Sequence, residues 1–234
     1  MRFNLFNRAF QALFNLFYPH LCASCSGALG GDERVLCLHC IMSLPRTNFY
    51  RDPNNRAAQI FIGRIPIERA ASFTYFTKLG IMQHLLHQLK YNGRSEIAFF
   101  LGQLFAEELR SVQWHQDIDL IVPVPLHRSR KYRRGYNQAE VFASAMADIL
   151  DITLKPQLLS RQRSAASQTR MSRAERMISV EKAFKVQGDV RNMHILVVDD
   201  VLTTGATLES CARAFLDCGA ARVSIATLAI ALDA

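Results

Sequence analysis

No stretch of this chain stays apolar for the roughly 20 residues that a helix needs to cross a bilayer. The nearest approach is the phenylalanine-rich N-terminus, which Asn4, Asn7, Arg8, Gln11 and Asn15 interrupt. Those polar residues also exclude the unbroken apolar core of a secretory signal. Internal repeats and low-complexity tracts are missing too, which excludes a repeat architecture. What remains is an enzyme-sized chain with a cytoplasmic location expected: 234 residues, half of them apolar, can bury one full core and leave room for a small appendage.

Acidic residues are scarce in one place. Between His127 and Arg176 only four acids (Glu140, Asp148, Asp151, Glu175) face eleven basic residues, so this stretch holds seven of the eight net positive charges of the chain. A surface of that kind focuses a polyanionic small substrate or tracks a nucleic-acid backbone, and net charge does not distinguish the two. At the N-terminus Phe3, Phe6, Phe10, Leu13, Phe14 and Phe17 recur at helical spacing. This predicts an amphipathic helix that docks its aromatic stripe on the rest of the protein, with attachment to a membrane surface as the alternative.

Four of the six cysteines form two knuckles, Cys22-x2-Cys25 and Cys37-x2-Cys40, joined by a segment containing Gly27, Gly30 and Gly31. Each knuckle offers two thiolates to one side of a tetrahedral zinc ion, and the glycines let the knuckles converge. Disulfides are the alternative; without a secretory signal a reducing compartment is expected, which favours zinc. His20 and His39 flank the cluster as bystanders. Cys211 and Cys218, seven apart on one predicted helix, read as buried core thiols.

The densest signal lies near the C-terminus, in Val197-Val198-Asp199-Asp200-Val201-Leu202-Thr203-Thr204-Gly205-Ala206-Thr207. A buried strand over residues 195–198 ends in two adjacent carboxylates, and the chain then turns through hydroxyls and a glycine into a helix over residues 208–216. Unpaired N–H groups at a helix start, with the hydroxyls of Thr203, Thr204 and Thr207, make a phosphate cradle that Gly205 lets a ligand approach closely. Asp199 and Asp200 are placed to accept hydrogen bonds from two neighbouring ribose hydroxyls. Together these groups describe a ribose 5-phosphate.

Elsewhere the pattern predicts a polar linker over 46–56, a hairpin of strands 60–67 and 70–76, helices over 79–89, 97–109 and 138–150, and strands over 119–124 and 223–231. Strands that alternate with helices and are apolar throughout imply a parallel α/β sheet with helices on both faces. Ligands then bind beyond the carboxyl ends of the strands, where Asp199 and Asp200 lie. A third motif, Pro123-Val124-Pro125-Leu126-His127-Arg128, runs on through Arg130, Lys131, Arg133 and Arg134 to Gly135-Tyr136-Asn137-Gln138. Following a strand parallel to that of the acids, it suits a loop that wraps a diphosphate with backbone N–H groups and arginines.

The segment 197–207 resembles the 5-phosphoribosyl 1-diphosphate (PRPP) signature of the type I phosphoribosyltransferases. With the cysteine quartet, Leu89-Lys90-Tyr91 before a glycine, the Pro-Val-Pro-Leu and Arg-Gly-Tyr-Asn-Gln block, and a Gln/Arg-rich stretch with Gln168, Arg173 and Ala183-Phe184, the chain resembles the competence protein F (ComF) family along nearly its whole length. Two departures are Tyr136, where the family commonly has Phe, and Ser179, where it has Asn.

The resemblance implies an N-terminal helix and zinc ribbon over residues 1–50 and a type I phosphoribosyltransferase-like domain over 51–234. It implies a magnesium-dependent phosphoribosyltransferase of unknown acceptor. Asp199 and Asp200 would be its catalytic residues, and Leu126, His127, Arg128 and the turn Val201, Leu202, Thr203, Thr204, Gly205, Ala206 and Thr207 would hold PRPP. The segment 161–184 would close over the site, and Cys22, Cys25, Cys37 and Cys40 would hold structural zinc. The alternative is a non-catalytic PRPP-binding accessory protein for DNA uptake in natural transformation, in contact with single-stranded DNA or a helicase partner.

Overall fold

The computed structural model describes residues 20–162 and 183–231. The helix expected over residues 3–17 and most of the closing loop expected over 161–184 lie outside them. The chain divides between Leu44 and Pro45 into two compact units.

In the first unit an antiparallel bridge joins Leu21 to Ala28. The turn between them is closed by hydrogen bonds from Cys22 N–H to the Gly27 carbonyl at 2.8 Å and from Ser26 N–H to the Cys22 carbonyl at 3.0 Å. Helix α1 (Leu38–Met42) starts at the second knuckle, with Cys37 as its N-cap. Glu33 fastens the connection by accepting the N–H groups of Gly30 (2.9 Å) and Leu38 (2.6 Å). The two knuckles are therefore brought together by local turns.

The second unit is built on five parallel strands: β1 (Ala70–Tyr75), β2 (Leu120–Pro123), β3 (Thr153–Leu154), β6 (His194–Leu202) and β7 (Arg222–Ile230), in the order β1-β7-β6-β2-β3. Its helices are α2 (Arg56–Gln59), α3 (Ile81–Tyr91), α4 (Glu96–Ser111), α5 (Arg128–Arg134), α6 (Gln138–Leu150) and α7 (Ala206–Asp217). Parallel crossovers are right-handed, so the direction of travel decides the face. From β6 the chain moves towards one edge through α7 to β7, and from β2 it moves the other way through α6 to β3; α6 and α7 therefore cover opposite faces. The place where the order reverses, between β6 and β2, is the switch point at which such sheets bind ligands. Among the described residues no helix is long and apolar enough to cross a membrane.

Packing follows from the apolar strands. Residues 195–198 of β6 are fully buried, and on the α6 face Phe73, Phe105 and Phe142 run from sheet to helices, with ring centroids 5.3 and 6.2 Å apart. Helices α4 and α6 cross closely at Gly102, where a Cβ would come 2.7 Å from the carbonyl oxygen of Phe142.

Several expectations are corrected. The pair 60–67 and 70–76 is not a hairpin: only Ala70–Tyr75 is a strand, and it pairs in parallel with β7. Phe61 and Ile65 are buried, Ile62 is exposed, and the N–H of Ile65 bonds the Phe61 carbonyl at 3.2 Å, so residues 60–65 turn at helical spacing. Short apolar runs do not distinguish strand from turn, and tertiary packing decides. The expected linker 46–56 is ordered along β1, with Thr47 N–H on the Phe73 carbonyl at 3.0 Å and Tyr75 N–H on the Pro45 carbonyl at 2.8 Å. It covers a sheet edge that would otherwise be open. The basic stretch after Pro-Val-Pro-Leu is a helix, α5, with His127 as N-cap and Gly135 closing it in the left-handed region at φ 79°. Strand β6 does not stop at the acids but runs through both to Leu202, because Asp199, Val201 and Leu202 stay in register with β7. Cys211 is buried, but Cys218 is exposed, because it falls on the C-cap of α7, past the last packed turn.

Candidate functional site

Two groups of residues have the chemistry to bind a ligand, one in each unit. In the first, the sulfur atoms of Cys22, Cys25, Cys37 and Cys40 lie within 4.8 Å of one another, and none is in a disulfide. Cys25 Sγ and Cys37 Sγ are 3.8 Å apart; the edge of a tetrahedron built on ~2.3 Å metal–sulfur bonds is about the same length. Burial raises the Cys22 thiol, but N–H groups of Cys25, Cys37 and Ser24 outweigh it and bring the thiol down to about 6. Burial first, and then its sulfur neighbours, push Cys40 up to about 12. Four thiols at this spacing could hold one metal ion; His20 and His39 are not in the cluster.

In the second unit, the ends of β2 and β6 frame a crevice at the switch point. Asp199 and Asp200 stand on its floor, both half-buried. The N–H of Asp200 donates to Asp199 Oδ1 at 2.8 Å, and Lys90 Nζ, from the last turn of α3, lies 2.9 Å from Asp200 Oδ2. Burial, and then the charge of Asp200, push the Asp199 carboxyl up to about 8, against the opposing pull of the Asp200 N–H, Lys90 and Arg161. A cavity of about 190 Å³ opens above the pair, walled by Lys90, Leu126, Arg134, Arg161 and Thr207. The combination of an acidic floor and basic walls suits a ligand with hydroxyls at one point and anionic groups at another.

Asp199, Val201 and Thr207 also line a second cavity of about 50 Å³, which the turn from Val201 to Leu208 encloses. The backbone N–H groups of Thr203, Thr204 and Gly205 meet no acceptor among the described residues, and α7 begins at Ala206 with the free N–H groups of its first turn. Gly205, its N-cap, has φ 78° and supplies no side chain to cap them. The result is a set of free N–H donors beside two carboxylates, an arrangement that could take an anion next to hydroxyls.

The structure brings Asp199, Asp200, Leu126 and the turn from Val201 to Thr207 to one crevice; Leu202 contributes backbone only, since its side chain is buried. The His127 ring is engaged locally: Nδ1 accepts the Ser129 N–H at 3.3 Å and lies 2.7 Å from Ser129 Oγ, capping α5. The side chain of Arg128 lies outside what the structure describes. Lys90 is the participant for which sequence reasoning found no role, although its Leu-Lys-Tyr setting stood out. It arrives through a long-range tie, the Tyr136 hydroxyl donating to the Leu89 carbonyl, while Asn137 Nδ2 donates to the Val124 carbonyl at 3.0 Å. Arg134 Nη1 donates to Gln138 Oε1 at 2.9 Å at the same wall. Arg161 is the register partner of Phe184 in a small antiparallel pair, β4 (Leu159–Arg161) with β5 (Phe184–Val186), so the two ends of the expected closing loop are adjacent.

Residues 137–233 match the phosphoribosyl transferase domain family. The chain is 32% identical over 209 residues to the DNA utilization protein YhgH of Salmonella typhimurium, covering 88% of each. It is 28% identical over 151 residues to competence protein F of Haemophilus influenzae, covering 62% of this chain and 66% of that one. Among solved structures it resembles the purine phosphoribosyltransferase from Pyrococcus horikoshii, at 25% identity and a TM-score of 0.35 over 58% of this chain and 72% of that one. With the four-cysteine unit ahead of a phosphoribosyltransferase domain, and with relatives of this identity along most of its length, the chain belongs to the competence protein F (ComF) family.

Proposed function

We propose that this protein binds PRPP together with magnesium and transfers its phosphoribosyl group to an acceptor, in the cytoplasm. The observation that carries the reading is that Asp199, together with Val201 and Thr207, lines both the cavity above the paired carboxylates and the cavity of the N–H-lined turn. Ribose 5-phosphate has its vicinal hydroxyls and its phosphate in that order. Asp199 and Asp200 accept the ribose hydroxyls, the turn from Val201 to Thr207 holds the 5-phosphate, and Leu126, Arg134 and Arg161 face the diphosphate. As the bond from C1 to the diphosphate breaks, positive charge develops on the ribose, and the two carboxylates stabilise it.

The carboxylate pair fits magnesium. It offers hard oxygen donors on two adjacent side chains, only one of which, Asp200, is paired directly with Lys90. When bound with PRPP, magnesium neutralises charge on the departing diphosphate. The four thiols of the first unit fit zinc, whose role would be to hold that unit folded. The test is diphosphate release from PRPP across a panel of bases and amines. Release with one acceptor supports a transferase; tight binding with no release under any acceptor overturns turnover and leaves a PRPP-binding accessory protein.

A second reading has its own observation. Tyr132 on α5 is 94% exposed, between the exposed basic residues Arg130, Lys131 and Arg133. An aromatic ring among cations is a stacking platform for a nucleic-acid base beside phosphate contacts. Relatives named for DNA utilization and competence support a role in handling incoming single strands. Affinity for single-stranded DNA that falls linearly in log–log terms with salt would bear this out, and no binding at low salt would overturn it.

A further inference from the structure

The turn from Val201 to Thr207 has an outer wall that neither proposed role uses. Residues 60–65 press on it from behind: a Cβ on Gly205 would come 2.7 Å from Ile60 Cγ2 and 3.0 Å from Phe61 Cε1. At the end of this segment Arg64 reaches over the turn. Its Nη1 donates to the Thr204 carbonyl at 2.8 Å and to the Ile60 carbonyl at 3.1 Å, and its Nη2 pairs with Glu209 of α7. Arg213 completes the latch, donating to the Arg64 carbonyl and to Glu209 Oε1, each at 3.1 Å.

We infer that Arg64 is a positioning residue for the phosphate turn, holding the Thr204–Gly205 peptide in the one orientation that presents its N–H to a 5-phosphate. This rests on the reading of that turn as the 5-phosphate site. In a planar trans peptide the carbonyl and the N–H point in opposite directions. With the Thr204 carbonyl drawn outward onto Arg64, the N–H of Gly205 is turned to the other side, where no acceptor among the described residues meets it. A glycine peptide flips easily, and nothing else in the turn bonds this carbonyl. Without the guanidinium the carbonyl could rotate inward and put a negative dipole where the phosphate belongs. The guanidinium fork is needed because one group serves two carbonyls and a carboxylate at once, which the single ammonium of lysine does not reproduce.

The test is calorimetry with two probes, ribose 5-phosphate and magnesium diphosphate, on the full chain and its variants. Arg64→Met should weaken ribose 5-phosphate roughly tenfold, the scale of one charge-assisted hydrogen bond kept in place. Magnesium diphosphate, which needs no phosphate turn, should stay within about twofold. Arg64→Lys should recover little of the loss. Glu209→Gln, which loosens the latch from α7, should show a smaller loss with the same selectivity, and it serves as the test if Arg64→Met does not fold. Unchanged ribose 5-phosphate affinity, or equal weakening of both probes, would overturn the inference while leaving the PRPP reading intact. A parent chain that binds magnesium diphosphate but not ribose 5-phosphate, or binds neither, would overturn the phosphate turn itself and this inference with it.

Discussion

Lys90 and Asp200 are 110 residues apart in sequence, yet Lys90 Nζ lies 2.9 Å from Asp200 Oδ2, with the two side chains only 24% and 20% exposed. The lysine is the counter-charge for two adjacent carboxylates. Lys90→Met removes it, and the cost follows from the sign of the Asp199 shift. A carboxyl raised above its unfolded value binds its proton more tightly in the folded state, so stability falls as pH rises from the ordinary carboxylate range towards about 8. The variant raises Asp199 further. Its deficit should widen with pH, by no more than about 0.4 kcal/mol (RT ln 2) from pH 5 to pH 8 and further above pH 8, read as the difference in melting temperature from the parent at each pH. A deficit independent of pH would show that Lys90 does not compensate Asp199.

The paired acids themselves should be dispensable for folding. Asp199→Asn with Asp200→Asn removes like charges from a half-buried floor but takes from Lys90 its ion-pair partner, so the two effects offset and the melting temperature should stay close to the parent's, while magnesium-dependent PRPP affinity falls at least tenfold for each charged hydrogen bond lost, at about 1.5–3 kcal/mol apiece. Calorimetry with magnesium present decides it. PRPP affinity equal to the parent's would remove the carboxylates from the site. In the parent, affinity should grow between pH 6 and pH 8 as Asp199 ionises.

For the cysteine cluster the expected outcome is one zinc per chain in elemental analysis, lost on Cys25→Ser or Cys37→Ser. Because metal binding at such sites supplies folding energy, chelation should expose the first unit to protease at residues 20–44 before the second is attacked. Purified protein that contains no zinc and carries disulfides instead would refute this.

Helix α5 separates two kinds of basic residue. Arg134 lines the crevice and is half-buried, whereas Tyr132 and Arg133 are exposed. Tyr132→Ala with Arg133→Ala should weaken single-stranded DNA binding by about 1–3 kcal/mol from the lost stacking and lower its salt slope by about one. PRPP affinity should not move, whereas Arg134→Ala should reduce it. Loss of both ligands in the Tyr132/Arg133 variant would mean that one surface serves both.

Much of this was legible in the chain alone, for physical reasons that stop at a definite point. Knuckle spacing in the cysteines, the apolar run over 195–198, the acids behind it and the Thr-Thr-Gly turn are local: a few adjacent residues determine where their own donors and acceptors point, so a phosphate-type turn, paired carboxylates and a thiol cluster could be read in order. Helix 138–150 had the expected bounds because its period is carried by its own buried face. Tertiary structure decided what depends on partners distant in sequence. Residues 60–65 carry an apolar run compatible with a strand, and only the pocket behind Gly205 made them a turn. The polar stretch 46–56 became ordered because β1 had an edge to cover. Lys90, Arg161 and Arg64 reached the site through strand order and packing, and no local pattern encodes which side of a sheet a distant cation will occupy.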